Sequence, residues 1–212
     1  MAIFITFEGV EGCGKSTQAT LLKGHLEALG RKVIAVREPG ATPIGEKIRS
    51  ILVGSEGVGM SPLTELFLYE ACRAELVEKV IRPALEHGVD VICDRFGDST
   101  LAYQGWGRGL DTGVIKRLNS IATGGLAPSV TFLLDCPPEA GLSRALKRMR
   151  HGVSEDRFEK EALSFHSRVR NGFLELAAAE PDRVRVIDSN RDIALIHEEI
   201  CDIIKRCVSR RS

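Results

Sequence analysis

The segment Gly9-Val10-Glu11-Gly12-Cys13-Gly14-Lys15-Ser16 has the residue types and spacing that hold a polyphosphate. Its pattern, Gly-x-x-x-x-Gly-Lys-Ser, follows an apolar run and opens a stretch of helical periodicity, the context such a loop requires. Glycines let successive backbone N–H groups turn inward around phosphate oxygens, and the N-terminus of the next helix adds partial positive charge. Lys15 can reach the outer phosphates, and the Ser16 hydroxyl can ligate Mg²⁺. The loop therefore predicts a nucleotide site and leaves the reaction open.

A second pair narrows the chemistry. Asp94-Arg95 ends the apolar run Val89–Cys93, and ligands of open α/β sheets bind at such strand ends. Asp94-Arg95-Phe96-Gly97 fits the Asp-x-x-Gly pattern of GTPase switches, yet the chain holds no Asn-Lys-x-Asp sequence to read guanine. The pair suits a kinase: a carboxylate for the metal's water shell beside a guanidinium fork that grips phosphate. A kinase is the reading we adopt, with a non-catalytic nucleotide switch as the competing class.

These groups need a frame. Short apolar, β-branched runs recur at Ile3–Phe7, Val33–Val36, Val89–Cys93, Val130–Leu134 and Val184–Ile187. They are continuous rather than alternating, as parallel strands buried on both faces should be. Between them lie segments with helical spacing, among them Thr17–Leu29, Pro62–Glu86, Pro137–Met149, Glu159–Ala179 and Ile193–Cys207. This alternation predicts a P-loop NTPase-type α/β fold, a doubly wound parallel sheet of five strands with flanking helices. No repeat or linker divides the chain, so one domain over 1–212 is expected. Gly54–Ser61 reads as a loop between two helices. Arg95–Asp111, with four glycines among aromatic and polar residues, reads as a long functional loop. Arg148–Arg157 is basic and interrupts a helical region.

Composition sets the remaining bounds. The 212 residues are long enough for a substantial core. Lys+Arg and Asp+Glu balance at 29 each, which argues against a nucleic-acid partner. The six cysteines contain no Cys-x-x-Cys pair, and Cys72, Cys93 and Cys201 lie in apolar stretches. They read as reduced, buried thiols rather than a disulfide frame or a zinc site. There is no basic leader before an apolar segment, and no apolar run nears the roughly 18 residues of a membrane span. A cytoplasmic protein without a membrane partner is expected.

Four further stretches, taken with the loop, resemble the thymidylate kinase family. They are Arg37-Glu38-Pro39-Gly40, Gly45-Glu46-x-x-Arg49, Asp94-Arg95-Phe96-x-x-Ser99-Thr100-x-Ala102-Tyr103-Gln104-Gly105 and Asp156-Arg157-Phe158-Glu159. They occur in family order and at family spacing. The resemblance implies ATP as phosphoryl donor, held by Gly9, Val10, Glu11, Gly12, Cys13, Gly14, Lys15, Ser16 and Thr17, and dTMP as acceptor. Arg37, Arg49 and Arg95 match arginines around the acceptor's phosphate, where planar forks suit a phosphate better than lysine does. Tyr69 matches an aromatic residue that stacks on thymine, usually phenylalanine, and Arg73 an arginine at the base edge. Thr100, Tyr103 and Gln104 match residues lining base and deoxyribose, with Tyr103 excluding a 2′-hydroxyl. Glu11 matches an acid near the acceptor's 3′-hydroxyl and the phosphate-gripping arginines. Ala41 stands where many relatives have glycine, and an ordinary φ is expected there. Phe67 is expected in the core.

For such a reaction the nucleophile is a phosphate oxygen, already ionised at neutral pH, so no general base is needed. The task is to bring two anions together in an in-line transition state. Lys15, Asp94, Arg95, Arg148 and Arg150 are the predicted catalytic groups, with Ser16 and, through water, Asp94 holding Mg²⁺. No cation stands at the variable loop positions Val10, Glu11, Gly12 and Cys13, so the resemblance assigns part of the catalytic charge to a lid near 148–157. The five histidines are expected on helix surfaces or in loops, outside the chemistry. The family is usually homodimeric, which extends to this chain as an expectation. Another nucleoside monophosphate remains the alternative acceptor.

Overall fold

The computed structural model describes residues 2–149 and 157–209. Strands β1 (Phe4–Glu8), β2 (Val33–Arg37), β3 (Asp90–Asp94), β4 (Val130–Asp135) and β5 (Val184–Asp188) form a parallel sheet in the order β2-β3-β1-β4-β5. β1 is central, with Phe4 beside Val91 of β3 and Ile5 beside Val130 of β4. Every predicted strand is present, and each runs one residue past its apolar stretch. That extra residue is charged in all five: Glu8, Arg37, Asp94, Asp135 and Asp188. Hydropathy ends at the last apolar side chain, whereas the ladder carries the backbone one residue further and sets a row of charge along the carboxyl edge.

Helices lie over both faces, as the continuous apolar strands require. Neighbouring residues of a strand point to opposite sides. Phe4 packs with Val91, Cys93 and the helical residues Leu76, Val77 and Ile81. Ile3, Ile5 and Phe7 join Leu22 and Leu26 of α1 (Lys15–Ala28) and Ile196 and Ile200 of α9 (Ile193–Ser209). α2 (Pro43–Val53) and α3 (Pro62–Leu76) open with Thr42-Pro43 and Ser61-Pro62. The hydroxyls accept from Gly45 N and Thr64 N, and proline fills the first helical position, where no N–H is needed. α3 continues through a π-helical turn, Val77–Ile81, into α4 (Arg82–Glu86), which accounts for the single predicted segment Pro62–Glu86.

The segment Arg95–Asp111 departs from expectation. It is largely helical: α5 (Gly97–Thr100) runs straight into the π-helical stretch Leu101–Gly107. Gly97, Gly105 and Gly107 serve close packing, and only Gly109, at φ +80°, serves a turn. A Cβ on Gly107 would lie 2.7 Å from the Phe165 ring, so glycine lets α8 (Leu163–Ala179) press against this stretch. α6 (Thr112–Thr123) follows, capped by Asp111, whose carboxylate accepts from Val114 N at 2.8 Å. α7 (Pro138–Met149) precedes the basic segment.

Two local expectations are corrected. Ala41 has φ +64°, not an ordinary value; a non-glycine residue there costs about 1–2 kcal/mol. The conformation aims its N–H at Glu46 Oε1, 2.8 Å away, and the same carboxylate holds Arg37. Phe67 is 52% exposed rather than core, on the outer face of α3 one turn beyond the exposed Leu63. Cys13, Cys72, Cys93, Cys136 and Cys201 are buried free thiols. No helix among the described residues is long and apolar enough to cross a membrane.

Candidate active site

The Gly9–Ser16 loop connects β1 to α1, and Gly14 caps α1 in the left-handed region at φ +98°. Gly12, at φ +69°, approaches α7 so closely that a Cβ would sit 1.9 Å from the Gly141 carbonyl oxygen. Only glycine meets both demands. The Lys15 ammonium donates to the carbonyls of Gly9 (3.1 Å) and Val10 (2.8 Å), which holds it over the loop. Ser16 Oγ donates to Asp94 Oδ2 at 2.5 Å, so the residues predicted to share a metal are in contact across the β1–β3 edge.

Arg95 follows β3 with φ +69°, a strained conformation for a long side chain. Its guanidinium donates to Gly9 O (2.9 Å), Ser99 Oγ (3.2 Å) and Glu11 Oε1 (3.2 Å), and lies 5.0 Å above the Tyr103 ring. Two buried acids brace it. Glu8 accepts from Phe96 N (2.7 Å) and Ser99 Oγ (2.5 Å). Burial, followed by the Asp98 charge, pushes Glu8 up to about 8 against the opposing pull of Ser99, Arg95 and Phe96. Glu11 is held the other way. Burial alone would raise it, but contacts with His166, Arg95, Lys15 and Tyr103 together hold it down at about 2. The Tyr103 hydroxyl donates to Glu11 Oε1 at 2.5 Å.

His166 corrects the expectation that all histidines lie on surfaces or in loops. It is fully buried in α8, with Nδ1 3.1 Å from Glu11 Oε2 but not aligned as a hydrogen bond, and Nε2 without a hydrogen-bond partner among the described residues. Spacing carried the signal: His166, Val169 and Phe173 fall at i, i+3 and i+7, one face of a helix whose other two members are core.

A cavity of about 230 Å³ opens beside these groups. One wall is Glu11, Gly14, Lys15 and Ser16; another is Arg37, Arg49 and Tyr69; its floor carries Arg95, Thr100, Tyr103 and Gln104. The predicted acceptor residues thus converge, with one exception. Arg73 does not line the cavity and is 1% exposed. Its N–H groups go to Glu38 (3.0 and 2.7 Å), Glu70 (3.1 Å), Asn119 (2.6 Å) and Thr100 (2.8 Å). All five donors of a guanidinium are thereby taken within the protein. Burial pushes Glu38 up to about 7 even against the Arg73 charge. Arg73 holds Glu38 and Thr100, which do face the cavity.

Among the predicted loop residues, Val10 is buried in the core and offers its carbonyl to Lys15. Gly12, Cys13, Gly14 and Thr17 line a second cleft, shared with Arg144, Ser189 and Arg191. Ser189 and Arg191 follow β5 and carry no motif, so nothing in their local sequence marked them. Phe158 packs edge-on against Tyr103 at 5.5 Å, and with Glu159 it closes the cavity's outer side. Of the predicted lid arginines, Arg150 lies outside the described residues and Arg148 is described only through its backbone in α7.

Comparison with known proteins agrees with this geometry. A family model described as thymidylate kinase matches residues 7–200. Thymidylate kinase of Citrifermentans bemidjiense is 55% identical over 195 residues, covering 91% of this chain and 87% of the relative. That of Geobacter sulfurreducens is 50% identical over 213 residues, covering 100% of both chains. The crystal structure of thymidylate kinase from Ehrlichia chaffeensis superposes with a TM-score of 0.78 at 35% identity, covering 96% of this chain and 98% of that one.

Proposed function

The chain belongs to the thymidylate kinase family, and from that premise we propose that it transfers the γ-phosphoryl group of ATP to dTMP, yielding dTDP. The observation that carries this reading is one cavity whose walls are the phosphate-binding loop on one side and Arg37, Arg49 and Tyr69 on the other. Donor and acceptor phosphates brought there would meet between Lys15 and Arg95.

Each residue then has a task. Arg37, Arg49 and Arg95 take the acceptor's phosphate, and Glu11 keeps Arg95 directed at it. Tyr69 stacks on the base, Thr100 and Gln104 line it, and Arg73 fixes Thr100 from behind. The Tyr103 ring fills the space a 2′-hydroxyl would need. The cleft at Cys13, Thr17 and Arg191 takes the donor's nucleoside. Lys15 stabilises charge on the transferring group, and no proton needs abstracting from the acceptor. Ser16 Oγ and Asp94 Oδ2 are hard oxygen donors of the kind that fit hydrated Mg²⁺, which when bound offsets the charge of the donor's outer phosphates. Arg148 and Arg150, brought over from the lid, would complete the cationic shell and exclude water.

The exposed Leu63 and Phe67 of α3 and Ile121 of α6 support a homodimer through these helices. Work in the cytoplasm, with ATP and dTMP at hand, goes with the same reading. A coupled assay of ATP consumption against a panel of nucleoside monophosphates tests the acceptor. Stimulation by dTMP well above all others is the expected result. Preference for another monophosphate would transfer the reading to that acceptor.

A further inference from the structure

The seam between α1 and α9 holds a group of side chains that phosphoryl transfer does not use. His197 and Cys201 stand four apart on α9, so they share one helix face. His25, in the last turn of α1, meets them from across the seam. The two imidazoles are 6.0 Å apart at 84°, and Cys201 Sγ lies 3.5 Å from His197 Nε2. One ligand atom from each residue lies within 4.8 Å of the other two. His25 Nε2 is buried and has no hydrogen-bond partner among the described residues, an arrangement that buried polar groups normally avoid. Cys201 belongs to the same buried cluster as Leu22, Leu26, Ile196 and Ile200.

We propose that His25, His197 and Cys201 form a three-ligand site for Zn²⁺ or a cation of similar softness, clamping α1 to α9. The donor set is right for such an ion: two imidazoles and a thiolate, with no carboxylate among them to favour Mg²⁺ or Ca²⁺. A tetrahedral ion with bonds of about 2.0–2.3 Å holds its donors about 3.3–3.7 Å apart. The His197–Cys201 pair already has that spacing, and the His25 donor, within 4.8 Å of both, has only about 1 Å to close. On binding, the Cys201 thiol would release its proton to solvent, and a water would complete the tetrahedron beside the half-buried histidines. No Cys-x-x-Cys or His-x-x-x-His pattern announces the site, because its ligands come from opposite ends of the chain. His25 lies about 15 Å along α1 from Lys15 at the usual rise per residue, so the site is separate from the kinase's own metal.

The test uses the whole, reduced, chelator-treated protein titrated with Co²⁺ and then Zn²⁺. Expected is a thiolate-to-cobalt charge-transfer absorption that saturates at one equivalent and is abolished by one equivalent of Zn²⁺. Cys201→Ala should remove the band while the other five cysteines remain. Loss of even an outer-sphere partner weakens metal sites about 10–100-fold, so His25→Gln and His197→Gln should each weaken Zn²⁺ by at least that range. Zn²⁺ should raise the melting temperature of the parent protein and leave the three variants unmoved. Absence of the band, or its survival in Cys201→Ala, overturns the proposal. If Cys201→Ala does not fold, His25→Gln at its half-buried position decides alone: unchanged Zn²⁺ affinity there overturns the site.

Discussion

Replacing Glu11 with glutamine removes one charge and almost no volume from the network that directs Arg95. The carboxylate is 11% exposed, with Arg95 at 3.2 Å and the Tyr103 hydroxyl at 2.5 Å. Burial works against its charge, yet His166, Arg95, Lys15 and Tyr103 hold it at about 2, against an ordinary 4.5. That distance corresponds to about 3 kcal/mol of folding stability. The sign follows from the direction. A depressed carboxylate contributes fully above pH 4.5, and its contribution is lost as pH falls from there toward 2. Glu11→Gln should therefore lose about 3 kcal/mol at pH 7, a fall of about 6–12 °C in Tm for a chain of this size. Urea unfolding of both proteins in steps from pH 7 to pH 3 measures it. The gap should hold steady down to about pH 5 and narrow below 4.5. A gap under about 1 kcal/mol at pH 7, or one that does not narrow in acid, would refute the assignment of Glu11 as a charged brace.

Lys15→Ala should lower kcat about 10²–10³-fold, as loss of a preorganised charge at a transition state does, and steady-state kinetics with an unchanged kcat would exclude this role. Tyr103→Ala should admit ribonucleotides, shown by a smaller ratio of kcat/KM for dTMP over its ribose analogue, whereas Tyr103→Phe should keep the filter. Glu8 is raised to about 8, so its stabilising effect is full below 4.5 and lost as pH rises through 8. Glu8→Gln should accordingly show a flatter Tm between pH 6 and pH 9 than the parent protein. Arg150→Ala should slow transfer with dTMP binding intact, and an effect confined to KM would contradict a lid role.

Most of the frame was legible because its signals are local. Apolar runs mark strands whichever neighbours they meet, and the Gly-x-x-x-x-Gly-Lys-Ser loop carries its own geometry. The convergence of Arg37, Arg49, Tyr69, Thr100, Tyr103 and Gln104 on one cavity was legible through the family resemblance, for which motif order placed all but Tyr69. What escaped depends on tertiary contact. Gly105 and Gly107 read as loop residues until Thr112 and Phe165 are seen against them. Ala41 adopts positive φ because Glu46 waits for its N–H. Arg73 reads as a base contact, yet its partners come from α2's approach segment, α3, α5 and α6, which no spacing could show. His166 was within reach, since its helical spacing with Val169 and Phe173 placed it on a core face.

The central claim is a phosphoryl transfer between two bound nucleotides, and the fate of the label from γ-³²P-ATP tests it most directly. With dTMP present, the label should appear in dTDP in step with ATP loss, at a rate that collapses in Lys15→Ala. Label appearing only as inorganic phosphate, or unchanged by dTMP, would contradict the account.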